Sequence, residues 1–476
     1  MAVVTIPFVG FAPDIPDTTP GVLTDCIAIP CAKGMRNAPS KSYAPGGLGV
    51  LAATCTGAAT LRKLDGTTRL FAGTATKLYE ASGTTWTDRS AGGGSYTSSA
   101  RWCFAQFGDI SLATNDADNI QQSSSGAFAA VANAPKAKIV VAVPNFAVAF
   151  NTQNGSASTA FGDSPDRWWC SAYQSPTDWA INAANQCVSE RLIGGGGEIV
   201  AAAAFGSGWV AYKRRDMFHA YYTGGSEVFN TQRVPGNFGC VGPEAVCDIG
   251  NAHFVVGEDD IFIYDGARPV SVAVGKVREY FLGASSKTYR HLTSVRHDVG
   301  AGLVWVFFVS SVSGTTLNKA MVYHIATGRW GLCFIGTNVA QSEAHATLMY
   351  SPASGPDIVA TIGDGSGEWL STLDGTPTSS AELGGLTTGF VGSDDQESMF
   401  HRVQLLCDSR PTVEGTSYST RSRSGGTLSD TIDAVSSDGN SDFRVCANWI
   451  MFNFVPQGAF EVSGYALHSR PAGAGR

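Results

Sequence analysis

The stretch FIYDGARPV, Phe262–Val270, ends an apolar run in a polar turn that contains Gly266 and then begins a return strand. The same order recurs along the chain: an aromatic or apolar pair, a polar turn with glycine, and a second strand. The other copies are KLYEASGTTW (Gly83), NIQQSSSGAF (Gly126), AYYTGGSEVF (Gly225), VYHIATGRW (Gly328) and STLDGTPT (Gly375). Glycine adopts the backbone conformations that tight turns between strands require. The repeat therefore indicates a series of β-hairpins.

The spacing of these turns predicts how the hairpins are arranged. The six glycines are 43, 99, 41, 62 and 47 residues apart. The interval of 99 residues is close to two units, and we expect the missing turn in or near SPDRWWCSAYQSPTDW, Ser164–Trp179. Periods of about 40 to 50 residues in an all-β chain are typical of propeller blades, each a four-stranded sheet. Packing such sheets around a ring covers the apolar faces that a single sheet leaves exposed.

Strand signals dominate the rest of the chain. Runs of β-branched and aromatic residues are bounded by Gly, Asp, Asn or Ser, as expected for buried strands. The clearest runs are LVWVFFV (Leu303–Val309), IFIYD (Ile261–Asp265), KIVVAV (Lys138–Val143) and AMVYHI (Ala320–Ile325). Helical periodicity is nearly absent, and the two short candidates are Val277–Phe281 and Asn185–Leu192.

These observations predict an all-β protein in three parts. We expect an extended, proline-rich N-terminal arm at residues 1–45, a β-propeller of about six to eight blades at 46–385, and a C-terminal β-rich region at 386–476. The last region supplies closing strands or a small sandwich. The unequal turn spacing leaves open the alternative of two unrelated β-sandwiches. The arm residues expected to pack on the propeller or a neighbouring subunit are Phe8, Phe11, Pro13, Pro16 and Pro20.

The composition argues against a conventional nucleic-acid-binding protein. Charged residues make up 15% of the 476 residues, against about 25% in an average soluble protein. The formal net charge is −8, whereas binding to phosphates needs a clustered basic surface. The densest basic cluster, Lys213-Arg214-Arg215, is followed at once by Asp216. We interpret it as a solvated turn or an interface patch.

Neither a signal peptide nor a membrane span is predicted. The N-terminal stretch has no basic start, and Pro7 interrupts its apolar run. The most apolar stretches, Lys138–Phe150 and Glu198–Tyr212, are shorter than the roughly 18 residues that a membrane span requires. The chain has eleven cysteines but no CxxC motif. We interpret them as buried, reduced thiols of a protein made in a cytoplasm.

The aromatic stretch Ser164–Trp179 raises the question of a ligand platform. DRWWCSAY reads as a strand and QSPTDW as a turn, in which Pro176 fixes the backbone geometry. We expect Trp168, Trp169 and Trp179 to lie at the edges of one hairpin, with at least two of them packed in the core between adjacent sheets. The alternative is an aromatic surface for sugars or nucleotide bases.

No catalytic motif is present. The sequence contains neither GxSxG nor HExxH, and IGGGGE (Ile193–Glu198) lacks the lysine of a phosphate-binding loop. YEASGTTW (Tyr79–Trp86) has Ala81 where the repeated turn of sialidase propellers has aspartate. The carboxylates available for glycoside hydrolysis, none in a recognisable local setting, are Glu190, Glu198, Asp259 and Asp260.

Metal-binding signals are equally weak. His291 and His297 are six residues apart, which fits neither a helix face nor a common metal site. GEDD (Gly257–Asp260) could bind Ca²⁺ through its oxygens, but we interpret it as a solvated acidic turn. We therefore expect no catalytic, cofactor-binding or metal-binding residues, no cofactor, and a protein that is not an enzyme.

The order of features along the chain resembles that of a known family. The proline-rich FAPDIPDTTPGVLTDC is followed by MRNAPS, and the later segments are RLFAGTATKLYE, DRWWCSAYQSPTDW, VAAAAFGSGWVAYKRRDMFHAYY, IFIYDGARPVSVAVGKVREYF, GLVWVFFVS and MVYHIATGRW. This order is similar to that of the tail-nozzle proteins of short-tailed bacteriophages, also called tail hub or packaged-DNA stabilisation proteins. The resemblance covers most of the chain, is strongest from Ser164 to Trp330, and is weakest after about Asp374.

The resemblance implies a structural component of the virion tail, assembled in the cytoplasm of a bacterial host. Such a subunit would form a ring, a homo-hexamer, below the portal and its adaptor protein. The ring would retain packaged DNA, pass it without sequence preference, and anchor tail fibres, spikes or a needle. Two alternatives remain from the residues themselves: a carbohydrate-binding propeller on a phage tail or cell surface, and a glycan-degrading enzyme.

Overall fold

The apolar runs that the sequence predicts to be strands form strands with buried side chains. In the computed structural model, all six residues of Leu303–Phe308 are buried. The structure describes residues 2–153, 161–225, 227–312, 314–335, 344–364, 366–376, 385–411, 413–422, 426–432 and 439–472. Across these ranges there is one α-helix, α1 (Arg278–Ala284). No helix in them is long and apolar enough to cross a membrane.

The N-terminal segment, predicted to be an extended arm, contains six short strands. They are β1 (Ala2–Pro7), β2 (Gly10–Phe11), β3 (Val22–Cys26), β4 (Ala28–Pro30), β5 (Met35–Asn37) and β6 (Ser40–Tyr43). All six pair with strands from later parts of the chain or with each other. A 3-10 helix at Pro45–Gly47 follows them.

Four-stranded antiparallel units follow one another from residue 57 to residue 375. The strands of blades 1 to 3 are β7 (Gly57–Arg62), β8 (Thr68–Gly73), β9 (Leu78–Ser82), β10 (Thr85–Asp88), β11 (Cys103–Phe107), β12 (Ile110–Thr114), β13 (Gln121–Ser123), β14 (Ala129–Ala130), β15 (Lys136–Val143), β16 (Phe146–Gln153), β17 (Ser164–Cys170) and β18 (Ser189–Arg191). Two 3-10 helices, Ala91–Gly93 and Ala183–Asn185, lie in their connections.

The remaining blades continue the pattern. The strands of blades 4 to 6 are β19 (Ala201–Phe205), β20 (Gly208–Tyr212), β21 (Met217–Tyr222), β22 (Phe229–Arg233), β23 (Val246–Asp248), β24 (His253–Val256), β25 (Ile261–Tyr264), β26 (Pro269–Ser271), β27 (Ser294–Asp298), β28 (Leu303–Phe308), β29 (Lys319–His324) and β30 (Arg329–Phe334). A 3-10 helix at Arg290–Leu292 precedes β27. Blade 7 contains β31 (Ala346–Tyr350), β32 (Ile358–Asp364) and β33 (Gly367–Gly375), and its fourth strand is β6.

The blades close into a ring. The innermost strands β7, β11, β15, β19, β23, β27 and β31 lie side by side in this order, and β31 lies against β7. Among the described residues this gives seven blades, of which six are separate four-stranded sheets and blade 6 is part of a ten-stranded sheet. The predicted propeller is therefore confirmed, and the alternative of two unrelated sandwiches is wrong for this region.

The glycine repeat marks one connection of each blade. Gly83, Gly126, Gly266 and Gly328 lie between the third and fourth strands of blades 1, 2, 5 and 6, each with a positive φ. Gly225 lies at the same place in blade 4. In blade 3 the connection between the third and fourth strands spans residues 171–188 and contains QSPTDW, where the missing turn was expected. In blade 7, Gly375 is the last residue of the third strand.

The C-terminal strands form a sandwich together with strands from the N-terminal segment. They are β34 (Leu386–Thr388), β35 (Val391–Gly392), β36 (Ser398–Ser409), β37 (Val413–Arg421), β38 (Thr427–Ile432), β39 (Asn440–Ala447), β40 (Trp449–Gln457) and β41 (Glu461–Pro471). One sheet contains β1, β41, β36 and β39, and the other contains β3, β34, β40, β37 and β38. The Tyr465 ring packs 5.9 Å from Phe452 and 5.8 Å from Phe454 across the two sheets.

Backbone pairing joins the sandwich to the propeller. From blade 6 the ten-stranded sheet continues through β30, β4 and β5 to β41. The arm residues Phe8 and Phe11 are buried at this junction. The ring centroid of Phe8 lies 5.9 Å from that of Tyr465 in the sandwich. The Phe11 ring contacts the Tyr280 ring of α1 edge-on, with their centroids 4.8 Å apart. Phe8 and Phe11 therefore pack against both bodies, whereas Pro13 is partly buried and Pro16 and Pro20, which were also expected to pack, are exposed on this subunit.

One of the two predicted helices is wrong. Val277–Phe281 overlaps α1, but the segment Asn185–Leu192 leaves the 3-10 helix at its first residue and continues as β18. Ser189, Glu190 and Arg191 pair with β17 in register with the tryptophan pair. Sheet pairing outweighs the weak local helical pattern there.

We expect Trp168→Ala to destabilise the propeller by about 3–5 kcal/mol, because it leaves a large cavity between blades 3 and 4. Trp168 is 0% exposed, and its ring centroid lies 5.3 Å from that of Trp209 and 5.7 Å from that of Phe229. Urea unfolding followed by tryptophan fluorescence and circular dichroism measures the loss. Leu64→Ala is the control, since Leu64 is 80% exposed. Equal stabilities of the two variants would contradict the assignment of Trp168 to the core.

Candidate functional site

All three tryptophans of the aromatic stretch are core residues, which confirms the prediction that at least two of them pack between sheets. Trp168 belongs to the cluster between blades 3 and 4, whereas Trp169 and Trp179 belong to the cluster between blades 2 and 3. Their exposed fractions are 0%, 2% and 0%. The Trp179 indole nitrogen donates to the Pro176 carbonyl at 2.9 Å within the predicted turn. None of these rings forms an open surface for a ligand.

The basic and acidic clusters that the sequence singles out pair with each other. Arg214 and Arg215 lie in the exposed turn between β20 and β21, as predicted for a solvated turn. Arg214 contacts Glu258 at 2.6 Å, and Arg215 contacts Asp259 at 3.1 Å. Both acids lie in the equivalent turn of blade 5. The two clusters therefore neutralise each other across neighbouring blades.

Asp260 of the acidic turn and Lys213 of the basic turn also have hydrogen-bond partners within the protein. Asp260 accepts a hydrogen bond from the Ser271 hydroxyl at 2.9 Å. Buried Lys213 donates to the Leu192 carbonyl at 2.9 Å, just before the glycine run Ile193–Glu198. Gly195 in that run has φ +73°, and a Cβ there would lie 1.9 Å from the Asp216 carboxylate. The run therefore approaches blade 4 closely at Gly195, whereas the glycines on either side, Gly194, Gly196 and Gly197, are exposed with open space around them.

The available carboxylates lie on separate elements. Glu190 is in the outer strand β18, Asp259 and Asp260 are in the β24–β25 turn, and Glu198 precedes β19. Among the described residues, no group of three or more His, Cys, Asp or Glu side chains is arranged to hold a metal ion. His291 and His297 contact different backbone carbonyls, those of Thr288 and Asp248.

The cysteines are free thiols. Six of the eleven are buried, four are partly buried, and Cys446 is exposed. Burial raises the pKa of Cys26 and of Cys55 to about 12. The prediction of buried thiols is therefore confirmed for these six, which are Cys26, Cys55, Cys170, Cys187, Cys240 and Cys333.

Two histidines form a buried cluster with tyrosines between blades 4 and 5. His219 Nδ1 lies 2.9 Å from the Tyr264 hydroxyl, and His253 Nδ1 lies 2.8 Å from the Tyr212 hydroxyl. Desolvation, followed by the neighbouring His253, lowers the pKa of His219 to about 4. Desolvation also lowers the pKa of His253. Both rings are therefore neutral at pH 7.

The candidate functional site is a cavity of about 550 Å³ on the propeller axis. Its lining comes from all seven blades and includes residues just before or within the innermost strands. Residues that represent the seven blades in order are Gly57, Arg101, Lys138, Val200, Glu244, Ser294 and Ala346. Cavities of this kind, with converging polar groups, are where proteins most often bind ligands.

An ion-pair cluster spans the axis, and we call Arg101, Glu244 and Arg296 the axial clasp. Arg101 precedes the innermost strand of blade 2, Glu244 precedes that of blade 5, and Arg296 lies in that of blade 6. Glu244 accepts hydrogen bonds from both guanidinium groups and from the Ser294 hydroxyl, the last at 3.0 Å. Blades 2 and 5 are not neighbours in the ring, so the pair crosses the central space.

Burial changes the electrostatics of the clasp. The three side chains are 17 to 31% exposed. Desolvation lowers the pKa of Arg101, and it lowers the pKa of Arg296 to about 9. Arg296 also donates to the Thr347 carbonyl at 2.8 Å and the Val295 carbonyl at 2.9 Å. The clasp thus holds two cations and one anion in a poorly solvated place.

The other charges around the cavity form their own pairs. Lys138 contacts Glu198 at 2.9 Å, and the Asn151 amide donates to the same carboxylate at 2.9 Å. His345 contacts Glu368 at 2.7 Å. Asp116, which also lines the cavity, has a positive φ of 74° and a pKa raised by burial. Chemically, this arrangement suits binding of a charged group.

Sequence reasoning missed the clasp. Its members lie in SARWCF, GPEAV and SVRHD, which share no motif. What they share is a position at or just before the first strand of a blade. They lie 25, 22 and 32 residues before the glycine turns of their blades (Gly126, Gly266 and Gly328), so no constant offset marks them.

We expect Glu244→Gln to destabilise the protein by about 2–4 kcal/mol, because it leaves two desolvated guanidinium groups without a counter-charge. The control is Glu258→Gln, which breaks the Arg214 pair, whose arginine is 56% exposed; this costs about 1 kcal/mol or less. Thermal unfolding of the three proteins at one ionic strength gives the comparison. Similar losses in the two variants would argue against a clasp that stabilises the ring.

We expect acid to destabilise the protein partly through His219. Its folded pKa of about 4 lies below the ordinary value of 6.5, so the unfolded chain binds the extra proton between these pH values. Stability is therefore lost as the pH falls from about 6.5 to about 4. His219→Phe should make this loss smaller, because phenylalanine binds no proton. The variant should still fold, since Tyr264 keeps its hydrogen bond to the Gly266 carbonyl. Urea unfolding across the pH range tests it, and exposed His291→Gln is the control. Unchanged pH dependence in His219→Phe would refute the role of this ring.

Comparisons with known proteins bear on the fold alone. No protein-family model and no curated protein sequence matches this chain. The solved structure of YCF48 bound to a D1 peptide is similar over 73% of this chain and 98% of its own, with a TM-score of 0.41 and 12% identity. The structure of BBS1N in complex with ARL6DN is similar over 71% of this chain and 97% of its own, with a TM-score of 0.41 and 12% identity. The structure of the computationally designed Ika8 protein is similar over 70% of this chain and 100% of its own, with a TM-score of 0.36 and 10% identity.

Proposed function

We propose that this protein is a structural ring subunit of the tail of a short-tailed bacteriophage. The resemblance to tail-nozzle proteins and the low content of charged residues, 15%, support this proposal. Uncharged surface is easier to desolvate when subunits associate. In this proposal the protein acts as a scaffold and not as an enzyme, and it is located in the virion tail.

The observation that carries the proposal is the exposed edge strand β1. This strand, AVVTIP, pairs with β41 on one side, and no described residue pairs with its other side. Val3 is 56% exposed and Val4 is 47% exposed. An exposed apolar edge strand is a template for pairing with another chain, and monomeric proteins usually protect such edges with Lys, Pro or bulges. We infer that β1 joins neighbouring subunits in the ring.

The proposed DNA channel lies between subunits and not along the axis of one propeller. The axial clasp crosses that axis in each subunit. A ring of subunits with a net charge of −8 each would repel the phosphates of passing DNA, so that DNA slides without adhering. The portal-adaptor protein above the ring and tail fibres, spikes or a needle around it are the expected partners, as the resemblance implies.

The carbohydrate-binding alternative has lost the feature that suggested it. That alternative used Trp168, Trp169 and Trp179 as a sugar platform, and all three are buried. The glycan-degrading alternative needs two carboxylates on one site, but of Glu190, Glu198, Asp259 and Asp260 only Glu198 lines the axial cavity. We therefore retain the ring subunit as the single proposal.

We expect the purified protein to form closed rings with a central channel, alone or on its portal-adaptor complex, and Val3→Lys with Val4→Lys to prevent this. Two lysines on β1 add charge to the edge and remove its apolar contact. Native mass spectrometry and negative-stain images report the number of subunits. The control is Val299→Lys, since Val299 is 76% exposed and lies in the β27–β28 turn.

Two results would count against the proposal. One is a wild-type protein that stays monomeric both alone and with the portal-adaptor complex. The other is release of reducing sugar from bacterial polysaccharide by the purified protein. Rings that persist in the double lysine variant would refute the role of β1 but leave the ring itself intact.

A further inference from the structure

The axial cavity contains an arginine whose hydrogen-bonding capacity is mostly unused. A guanidinium group has five N–H donors and stays charged in proteins. Among the described residues, Arg101 donates only from Nη2 to Glu244. Its Nε is buried and has no hydrogen-bond partner within the described ranges. Buried donors without a partner are uncommon in folded proteins, and those that occur can mark a place where an ion binds.

Arg296, the other guanidinium of the clasp, differs from Arg101. Its Nε and Nη2 donate to the Thr347 carbonyl at 3.2 and 2.8 Å, and Nη1 donates to the Val295 carbonyl. Arg296 is therefore held by the protein itself. Arg101 is the member of the clasp that lines the cavity, and its Nη1, unlike that of Arg296, donates to no described residue.

Within the axial clasp two cations face one anion. Lys138 is paired with Glu198. Arg214, which also lines the cavity, is paired with Glu258. In the clasp, Glu244 is shared by two arginines. Asp116 also lines the cavity; burial and then the charges of Lys138 and Glu198 are the main influences on the pKa of its carboxyl.

We propose that the axial cavity binds a small oxyanion, a phosphate or carboxylate group, on the free donors of Arg101. The planar fork of a guanidinium matches two oxygens of either group. The cavity of about 550 Å³ falls within the 300–1,000 Å³ range of ligand sites. The site therefore accommodates an inorganic anion or the charged end of a small organic one. This proposal concerns a single subunit and does not depend on ring assembly.

The test is isothermal titration of the full chain with inorganic phosphate and, separately, with citrate, at constant ionic strength set with chloride. We expect saturable binding of at least one of them to one site per chain. Arg101→Gln should weaken that binding by about ten- to hundredfold, the size expected for a lost charge-assisted contact. Arg214→Gln is the matched control, because Arg214 lines the same cavity but is already paired.

A second variant, Arg101→Lys, separates loss of the guanidinium fork from loss of the positive charge. Arg101→Lys preserves the positive charge but loses the fork, so we expect intermediate affinity, which a general loss of structure would not produce. Circular dichroism confirms that each variant is folded before titration. Binding of phosphate alone or of citrate alone assigns the oxyanion to the phosphate or the carboxylate class. The absence of binding by wild type, or equal affinities of wild type and Arg101→Gln, would overturn the proposal.

Discussion

The pairing of β6 with β33 is the contact on which the rest of the architecture depends. Blade 7 receives only three strands from its own stretch of chain, and Ser40–Tyr43 supplies the fourth. Without β6 the edge of β33 would be left unpaired, and an unpaired edge strand is open to pairing with other chains. The Lys41 ammonium, which is buried, donates to the Gly363 carbonyl at 3.3 Å and fixes this outer strand on its blade.

The elements that could be predicted are those with a local signal. A positive-φ turn between a third and a fourth strand needs glycine, so Gly83, Gly126 and Gly266 record the repeat directly. Buried strands need apolar runs, so Leu303–Phe308 was evident. The sandwich was predicted only as a possibility, because β1 pairs with β41 from the far end of the chain and neither strand shows which partner it has. The helix predicted at Asn185–Leu192 failed because pairing with β17 decides that segment.

The candidate site shows the same division. Arg214 and Glu258 are 44 residues apart, about one blade, so their pairing could have been predicted from the repeat. Arg101 and Glu244 are 143 residues apart and meet only because the ring brings their blades to a common axis. No short window of sequence contains that information. The unused donors of Arg101 are visible only when every neighbour is known.

The shared sheet of blade 6 and the sandwich sets the order in which the protein matures. Strand β5 pairs with β41, and β1 pairs with β41 over six residues. During translation β1 and β5 leave the ribosome long before β41, so both strands must wait for this partner. Blades 1 to 6 can condense in turn as they emerge, but the ring seals late. An unpaired N-terminal segment held in this way is open to capture by chaperones until β41 arrives.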